Sequence, residues 1–69
     1  MLDLTEGVLS QRQHDVLRLV AQGMTRKEVA RELGIQPHTA ADHAAAMRAT
    51  LGAKTLAHAV AIGAKRGIL

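Results

Sequence analysis

Apolar residues recur at three- and four-residue spacing along most of the chain, which is the spacing of amphipathic helices. The spacing predicts four helices, over residues 11–22, 26–33, 37–51 and 56–66. No segment shows the alternating pattern of a strand, and there is no internal repeat or linker. The pattern therefore predicts an all-α domain of four helices over residues 9–69. Residues 1–8 are expected to form a loosely held N-terminal arm.

Residues at the ends of the predicted helices favour the same boundaries. Two capping boxes, in which two side chains satisfy free backbone N–H groups, precede the first two helices: Ser10 with Gln13, and Thr25 with Glu28. Thr55 can cap the fourth helix, and Pro37 suits the first position of the third because it lacks an N–H. A glycine follows each helix, at positions 23, 34, 52 and 67, where a left-handed residue often ends a helix.

The third helix is divided lengthwise into an apolar stripe and an opposite stripe of polar or small residues. At about 100° per residue, the stripe that we expect to be buried consists of Ala40, Ala44, Met47 and Leu51. The opposite stripe carries His38, Asp42, Ala45 and Ala49, flanked by Ala41, Ala46 and Arg48. In the first helix, the buried side is expected to contain Val16, Leu17, Leu19, Val20 and Ala21.

Residues 24–52 predict a helix, a tight turn and a second helix. Gly34 can adopt the left-handed conformation that stops the first of these, and Pro37 starts the next. Two helices joined by so short a turn pack at a steep angle. This is the geometry that can place one helix in the major groove of DNA.

Composition limits the remaining possibilities. The chain has 69 residues, a formal net charge of +3, a pI of about 10.2, and neither cysteine nor aromatic residues. This length allows one domain with a thin core. The lack of cysteine excludes disulfides and thiol catalysis, and a cytoplasmic location is expected. No apolar run approaches the ~20 residues of a membrane span. The charge is compatible with nucleic-acid binding and also with an ordinary solvated surface.

Many short motifs match one known family in a single frame, from Leu9 to Leu69. The matching pieces are Leu9-Ser10, Arg12, Val16-Leu17, Gly23, Lys27-Glu28-Val29-Ala30, Leu33-Gly34-Ile35, Pro37, Thr39, His43 and Leu51-Gly52. On these residues the chain resembles the LuxR-type (GerE-like) helix-turn-helix DNA-binding domain. In most of the family this domain follows a sensor or receiver domain. The sequence here ends where the domain ends, so we expect it to resemble the stand-alone members, whose control comes from abundance or from a partner.

The resemblance implies a DNA-binding transcriptional regulator, of bacterial or phage origin, that acts as a homodimer on chromosomal DNA. In the family, the helix that corresponds to residues 37–51 enters the major groove, and the start of the preceding helix contacts phosphates. The last helix often pairs two subunits. Double-stranded DNA and a second copy of the chain are therefore the expected partners.

The candidate DNA-contacting residues lie at the start of the second helix and on the outer side of the third. They are Thr25, Arg26, Lys27, Gln36, His38, Thr39, Ala41, Asp42, Ala45 and Arg48. A hydroxyl, two cations and a helix N-terminus suit phosphate, while alanine can touch a thymine methyl and Asp42 can accept from cytosine N4. The candidate dimer interface consists of Leu56, Ala59, Val60, Ile62 and Gly63.

Departures from the family pattern favour a second interpretation. Ala40-Ala41 stands where the family usually has Val-Lys, and Asp42 and Ala45 stand where apolar or basic residues are common. A domain that keeps the fold but lacks basic side chains at these positions could instead bind protein. In that alternative, the chain pairs with a LuxR-type regulator or another host protein and inhibits it.

The four histidines, at positions 14, 38, 43 and 58, raise the question of a metal site or a general base. His38 and His43 are five residues apart, so they point in different directions on a helix. No nucleophile–base pair is present in the sequence, and no acidic residue lies at ligand spacing from both histidines. We therefore expect structural or surface histidines, no metal, no cofactor and no enzymatic activity.

Overall fold

The computed structural model describes residues 9–69, which form an all-α domain, as predicted. The helices are α1 (Gln11–Ala21), α2 (Arg26–Leu33), α3 (Pro37–Leu51) and α4 (Leu56–Lys65). The predicted bounds of α2 and α3 are confirmed, and α1 and α4 each end one residue earlier than predicted. The proposed arm, residues 1–8, lies outside the described residues. No helix in residues 9–69 is both long and apolar enough to cross a membrane.

Local hydrogen bonds set the helix boundaries where the sequence predicts them. At the start of α2, the Glu28 N–H donates to the Thr25 hydroxyl (3.2 Å) and the Thr25 N–H donates to the Glu28 carboxylate (2.9 Å). The equivalent capping box joins Ser10 and Gln13 at the start of α1. Gly34 ends α2 with a φ of +68°, a conformation that is energetically unfavourable for a residue with a Cβ. These contacts need no tertiary structure, which is why the sequence identifies them.

The core lies between α1 and α3, each of which packs against all the other helices. The helices α2 and α4 lie against this pair without packing on each other. The fully buried side chains are aliphatic or small, and the largest of them are Leu17, Met47, Val16 and Val29. On α3 the buried residues are the four predicted ones: Ala40, Ala44, Met47 and Leu51. The burial of this stripe leaves the opposite side of α3 facing outward.

Two residues of α1 differ from the prediction of a wholly buried apolar side. Val20 is half-buried and Ala21 is exposed, whereas Val16, Leu17 and Leu19 are buried as predicted. Ala21 lies three residues after Arg18, so the two share one side of the helix. Arg18 is exposed, and Ala21 is on the solvent side with it.

The apolar residues of α4 pack on the protein's own core. Ala59 and Gly63 are buried, and the other three candidate interface residues are half-buried against the core: Leu56, Val60 and Ile62. Ala59 and Gly63 are therefore not on the exposed surface of α4, and Gly63, which lacks a Cβ, lies directly against Leu17 of α1. The exposed residues of α4 are Ala57, His58, Ala61, Ala64 and Lys65.

The residues after α4 fold back over that helix. The N–H groups of Ile68 and Leu69 donate to the Gly63 carbonyl, at 2.8 and 3.4 Å. The Ile68 carbonyl lies 3.1 Å from Nε2 of the half-buried His14, which ties the end of the chain to α1. Ile68 is half-buried against the core, whereas Leu69 stays 46% exposed.

Gly63 is the position at which this packing can be tested most sharply. A Cβ placed there would lie 3.0 Å from Leu17 Cδ2 and 3.3 Å from Leu69 Cγ. Leu17 is fully buried and cannot move aside freely. We predict that Gly63→Ala destabilises the fold, since overpacking of about 1–3 kcal/mol exceeds the ~1 kcal/mol gained in helix propensity.

A double-mutant cycle with Leu17→Val supplies the control, because valine lacks the Cδ2 atom that the new methyl group would meet. In the Leu17→Val background, Gly63→Ala should cost less or even stabilise, and urea unfolding of the four proteins measures the coupling. Additive effects of the two substitutions would show that the Leu17–Gly63 contact does not limit the approach of α4 to α1.

Candidate nucleic-acid interface

The turn between α2 and α3 is short and held by backbone hydrogen bonds. The Gly34 N–H donates to the Arg31 carbonyl (3.3 Å), and the Ile35 N–H donates to the Ala30 carbonyl (3.0 Å). Ile35 is half-buried and packs on the core, while Gln36 makes no side-chain cap and is exposed. The bonded turn and the anchored Ile35 hold the start of α3 in a defined position relative to α2.

The start of α2 is an exposed, positively charged helix terminus. Thr25, Arg26 and Lys27 are all exposed, and the first N–H groups of any helix lack partners within it. The Thr25 hydroxyl oxygen accepts the Glu28 N–H and so holds the cap. This end of α2 can therefore offer two cations and free backbone N–H donors to an anion.

The Glu28 carboxylate belongs to the same cap. The hydrogen bond from the Thr25 N–H lowers the pKa of Glu28 below its ordinary value of 4.5, and the Thr25 hydroxyl and the Arg31 charge lower it further. Glu28 thus stays ionised near neutral pH and reduces the positive field at this terminus. Any anion bound there is held chiefly by Arg26, Lys27 and the backbone.

The outer side of α3 carries the predicted candidate residues at its surface. His38, Asp42, Ala45 and Arg48 are exposed, and Thr39 and Ala41 are half-buried. Within residues 9–69, neither Asp42 nor Arg48 takes part in an ion pair. The ion pair found in these residues joins Arg18 to Asp15 on α1, at 3.8 Å. This surface therefore presents the Asp42 carboxylate, the Arg48 guanidinium and several methyl groups.

A surface depression of about 360 Å³ joins α2, α3 and α4. Its lining residues are Arg26, Ala41, Ala44, Ala45, Arg48 and Leu56. Four of these are candidate DNA-contacting residues from two different helices: Arg26, Ala41, Ala45 and Arg48. The structure therefore brings the start of α2 and the outer side of α3 together on one surface.

Leu56, a candidate residue for the dimer interface, also lines this depression. Gly52, with φ of +68°, ends α3, and the Ala53 N–H donates to the Arg48 carbonyl at 2.8 Å. This tight turn brings the start of α4 back beside Arg48. Ala44, which is buried as predicted, also lines the depression, and the sequence pattern did not predict that second position. The short turn between α3 and α4 is the sequence feature from which the position of Leu56 beside α3 could have been predicted.

The histidines occupy separate structural positions. Next to the α4 cap, His58 Nδ1 accepts a hydrogen bond from the Lys54 N–H at 3.0 Å. The His14 side chain is hydrogen-bonded to the Ile68 carbonyl. His38 is exposed on α3, and His43 is half-buried. Among residues 9–69, no group of three or more His, Asp or Glu side chains is close enough to hold a metal ion.

Comparisons with known proteins identify a helix-turn-helix regulator family. Residues 7–62 match the GerE family profile, described as bacterial regulatory proteins of the luxR family. Proteins of Mycobacterium tuberculosis (strain ATCC 25618 / H37Rv) and Mycobacterium bovis (strain ATCC BAA-935 / AF2122/97) are each 34% identical over 61 residues. Their names describe them as candidate HTH-type transcriptional regulators. The match covers 88% of this chain but only 7% of each relative's length.

The lowered pKa of Glu28 predicts how the α2 cap responds to acid. Because the folded state lowers this pKa, the carboxylate stabilises the fold above its ordinary value of 4.5, and this contribution is lost as pH falls through the lowered folded value. Glu28→Gln keeps an acceptor but no charge. We predict that wild type is more stable than Glu28→Gln at neutral pH and that the difference shrinks in acid.

Urea unfolding followed by circular dichroism at a series of pH values measures this difference. Glu32→Gln removes the same charge from α2 without touching the cap, so it separates the cap from the effect of net charge. A stability difference between wild type and Glu28→Gln that persists unchanged in strong acid would contradict the role of the carboxylate in the cap.

Proposed function

This chain belongs to the LuxR family of bacterial regulatory proteins, and we propose that it binds duplex DNA through α2 and α3 and thereby regulates transcription. The observation that carries the proposal is the shared surface: Arg26 of α2 and Arg48 of α3 line one depression with Ala41 and Ala45. A charged helix terminus beside an outward-facing helix is the arrangement by which helix-turn-helix proteins bind DNA. Its place of action is then the cytoplasm, on chromosomal DNA.

In the proposed complex, the start of α2 binds the phosphate backbone. The contributors are Thr25, Arg26, Lys27, Gln36 and Thr39, the last two at the start of α3. Backbone contacts of this kind position a protein on the duplex without reading its sequence. The exposed cations supply most of the affinity, because each neutralised phosphate releases counterions.

The outer side of α3 then lies in the major groove. His38, Ala41, Asp42, Ala45 and Arg48 face the base edges, where Arg48 can donate to guanine and Asp42 can accept from cytosine N4. Asp42 opposes the phosphates electrostatically, so it favours binding only where a base donor satisfies it. This opposition makes Asp42 a source of discrimination rather than of affinity.

Charge reversal at the start of α2 tests the phosphate contacts. Lys27→Glu should weaken binding to all DNA sequences alike and lower the slope of log K against log salt by about 0.9 for each phosphate that is no longer neutralised. Fluorescence anisotropy with a labelled duplex at several salt concentrations measures both quantities. Lys65→Glu makes the same change of charge at the end of α4, outside the proposed interface.

Equal reductions of affinity for Lys27→Glu and Lys65→Glu would show that only net charge matters and that α2 makes no local contact. Absence of binding by the wild-type protein at low salt would contradict DNA binding itself. That second outcome would favour the alternative function, pairing with a LuxR-type regulator or another host protein. The exposed alanines of α3 are compatible with that alternative, since small side chains let a protein surface approach closely.

We further propose that the protein binds DNA as a homodimer through the outward side of α4. Ala57, Ala61 and Ala64 are exposed at intervals of four and three residues, so they form one stripe, with the half-buried Val60 beside it. Alanines allow two helices to approach closely. A two-fold dimer would present two copies of α3 to successive turns of the major groove.

The variant Ala61→Glu places a charge in the middle of the α4 stripe. We predict that it yields monomers in sedimentation equilibrium and binds DNA more weakly, because each monomer then has only one α3 to insert. Ala21→Glu, at an exposed alanine of α1, is the matched control and should leave the dimer intact. A dimer that survives Ala61→Glu with an unchanged dissociation constant would move the interface away from α4.

A further inference from the structure

The start of α4 is capped in part by a histidine ring, and we infer that this ring makes the turn between α3 and α4 sensitive to pH. The His58 N–H donates to the Thr55 hydroxyl at 3.0 Å, and His58 Nδ1 accepts the Lys54 N–H at 3.0 Å. Protonation of His58 removes the second of these hydrogen bonds. The inference goes beyond the proposed function and does not depend on it, because it concerns the free protein.

Three of the helices carry an acceptor at the same position, and the acceptor differs in each. In a capping box, the side chain of the third helical residue accepts a hydrogen bond from a backbone N–H at the cap. That residue is Gln13 in α1 and Glu28 in α2. In α4 it is His58, and the N–H belongs to Lys54, one residue before the cap residue Thr55. Since histidine changes charge between about pH 5 and about pH 8, the α4 cap is the one of these three that responds near neutral pH.

The hydrogen bond from Lys54 requires a neutral ring. A backbone N–H only donates, so His58 Nδ1 is unprotonated and the ring proton lies on Nε2. The imidazolium ion carries a proton on both nitrogens and has no acceptor, so no rotation of the ring restores the bond. Protonation also places a positive charge in the first turn of α4, where the helix dipole disfavours it.

The surrounding sequence supplies no carboxylate to pair with a protonated His58. No acidic residue follows Asp42, which lies in the first half of α3, and the charged side chains at the turn are Arg48 and Lys54. Of the helices that pack on α4, α1 contributes Asp15, which is in an ion pair within its own helix. A protonated His58 therefore loses its contact with the Lys54 N–H and gains no acidic partner from its own segment.

The histidine at the other end of α4 does not respond in this way. The Ile68 carbonyl only accepts, so His14 Nε2 donates to it. An imidazolium ion donates from the same nitrogen, so His14 keeps this contact when it is protonated. Of the two histidines with a backbone partner, His58 is the one whose contact depends on being neutral.

The turn that His58 holds also positions the start of α4. The Ala53 N–H donates to the Arg48 carbonyl at 2.8 Å, and Leu56 begins α4 in the depression that Arg48 also lines. Lys54 lies between these two contacts, so loss of its hydrogen bond loosens the segment that joins them. The charge of His58 thus determines how firmly Leu56 is held beside Arg48.

Urea unfolding of the full chain between about pH 8 and about pH 5 tests the inference. His58→Gln keeps an acceptor at this position at every pH, as Gln13 does in α1. The other three histidines titrate in both proteins, so their contributions cancel in the comparison. The wild-type bond is present at high pH and lost as pH falls. We therefore expect the unfolding equilibrium constant of wild type to rise about fivefold relative to that of His58→Gln, the effect of one hydrogen bond.

His38→Gln is the matched control. His38 lies in the first turn of α3, which has no side-chain cap, so this variant removes a titrating ring at a helix start without removing a cap. We expect the ratio of the wild-type and His38→Gln unfolding constants to change clearly less over the same pH range. Heteronuclear NMR of the histidine rings gives a second measurement, in which the proton of the neutral His58 ring should lie on Nε2.

Three outcomes would overturn the inference. The first is a ratio of the wild-type and His58→Gln unfolding constants that does not change with pH. The second is an equal change for His38→Gln, which would reduce the effect to charge at a helix start. The third is a neutral His58 ring whose proton lies on Nδ1. None of them bears on DNA binding, which Lys27→Glu tests separately.

Discussion

One side of α3 packs into the core, and this packing positions both the neighbouring helices and the candidate DNA-contacting residues. Ala40, Ala44, Met47 and Leu51 are buried, and because the chain has no aromatic residue they form the core together with aliphatic and small side chains of the other helices. Their burial against α1 and α2 fixes the rotation of α3 about its own axis. The same rotation turns Asp42, Ala45 and Arg48 outward, so one packing interaction provides both stability and the binding surface.

Small residues let this thin core pack closely, and they also shape the surface. Gly63 allows α4 to lie against Leu17, and the tight turn after α3 then brings Leu56 beside Arg48. The depression therefore depends on three helices, although only α2 and α3 form the helix-turn-helix unit. In this structure α4 has two roles, since its inner side completes the core while its first residue lines the proposed DNA-binding surface.

Sequence patterns identified the features that depend on neighbouring residues. Caps such as Thr25 with Glu28, and the buried stripe of α3, follow from hydrogen bonds and periodicity within one helix. The patterns could not assign α4, because this helix is apolar or small on nearly every side and periodicity does not say which side packs inward. Nor could they place Leu56, whose position depends on how three helices meet. Ala21 was misassigned because hydrophobicity alone does not show where an apolar face ends.

In the proposed complex, the start of α2 and the outer side of α3 form one continuous DNA-contacting surface. Amide chemical-shift mapping of the labelled protein during titration with duplex DNA measures which residues take part. We expect shifts to concentrate at residues 25–27, along the outward positions of α3 from His38 to Ala49, and at Leu56. Shifts confined to α1 or to the exposed alanines of α4, with α3 unaffected, would contradict it.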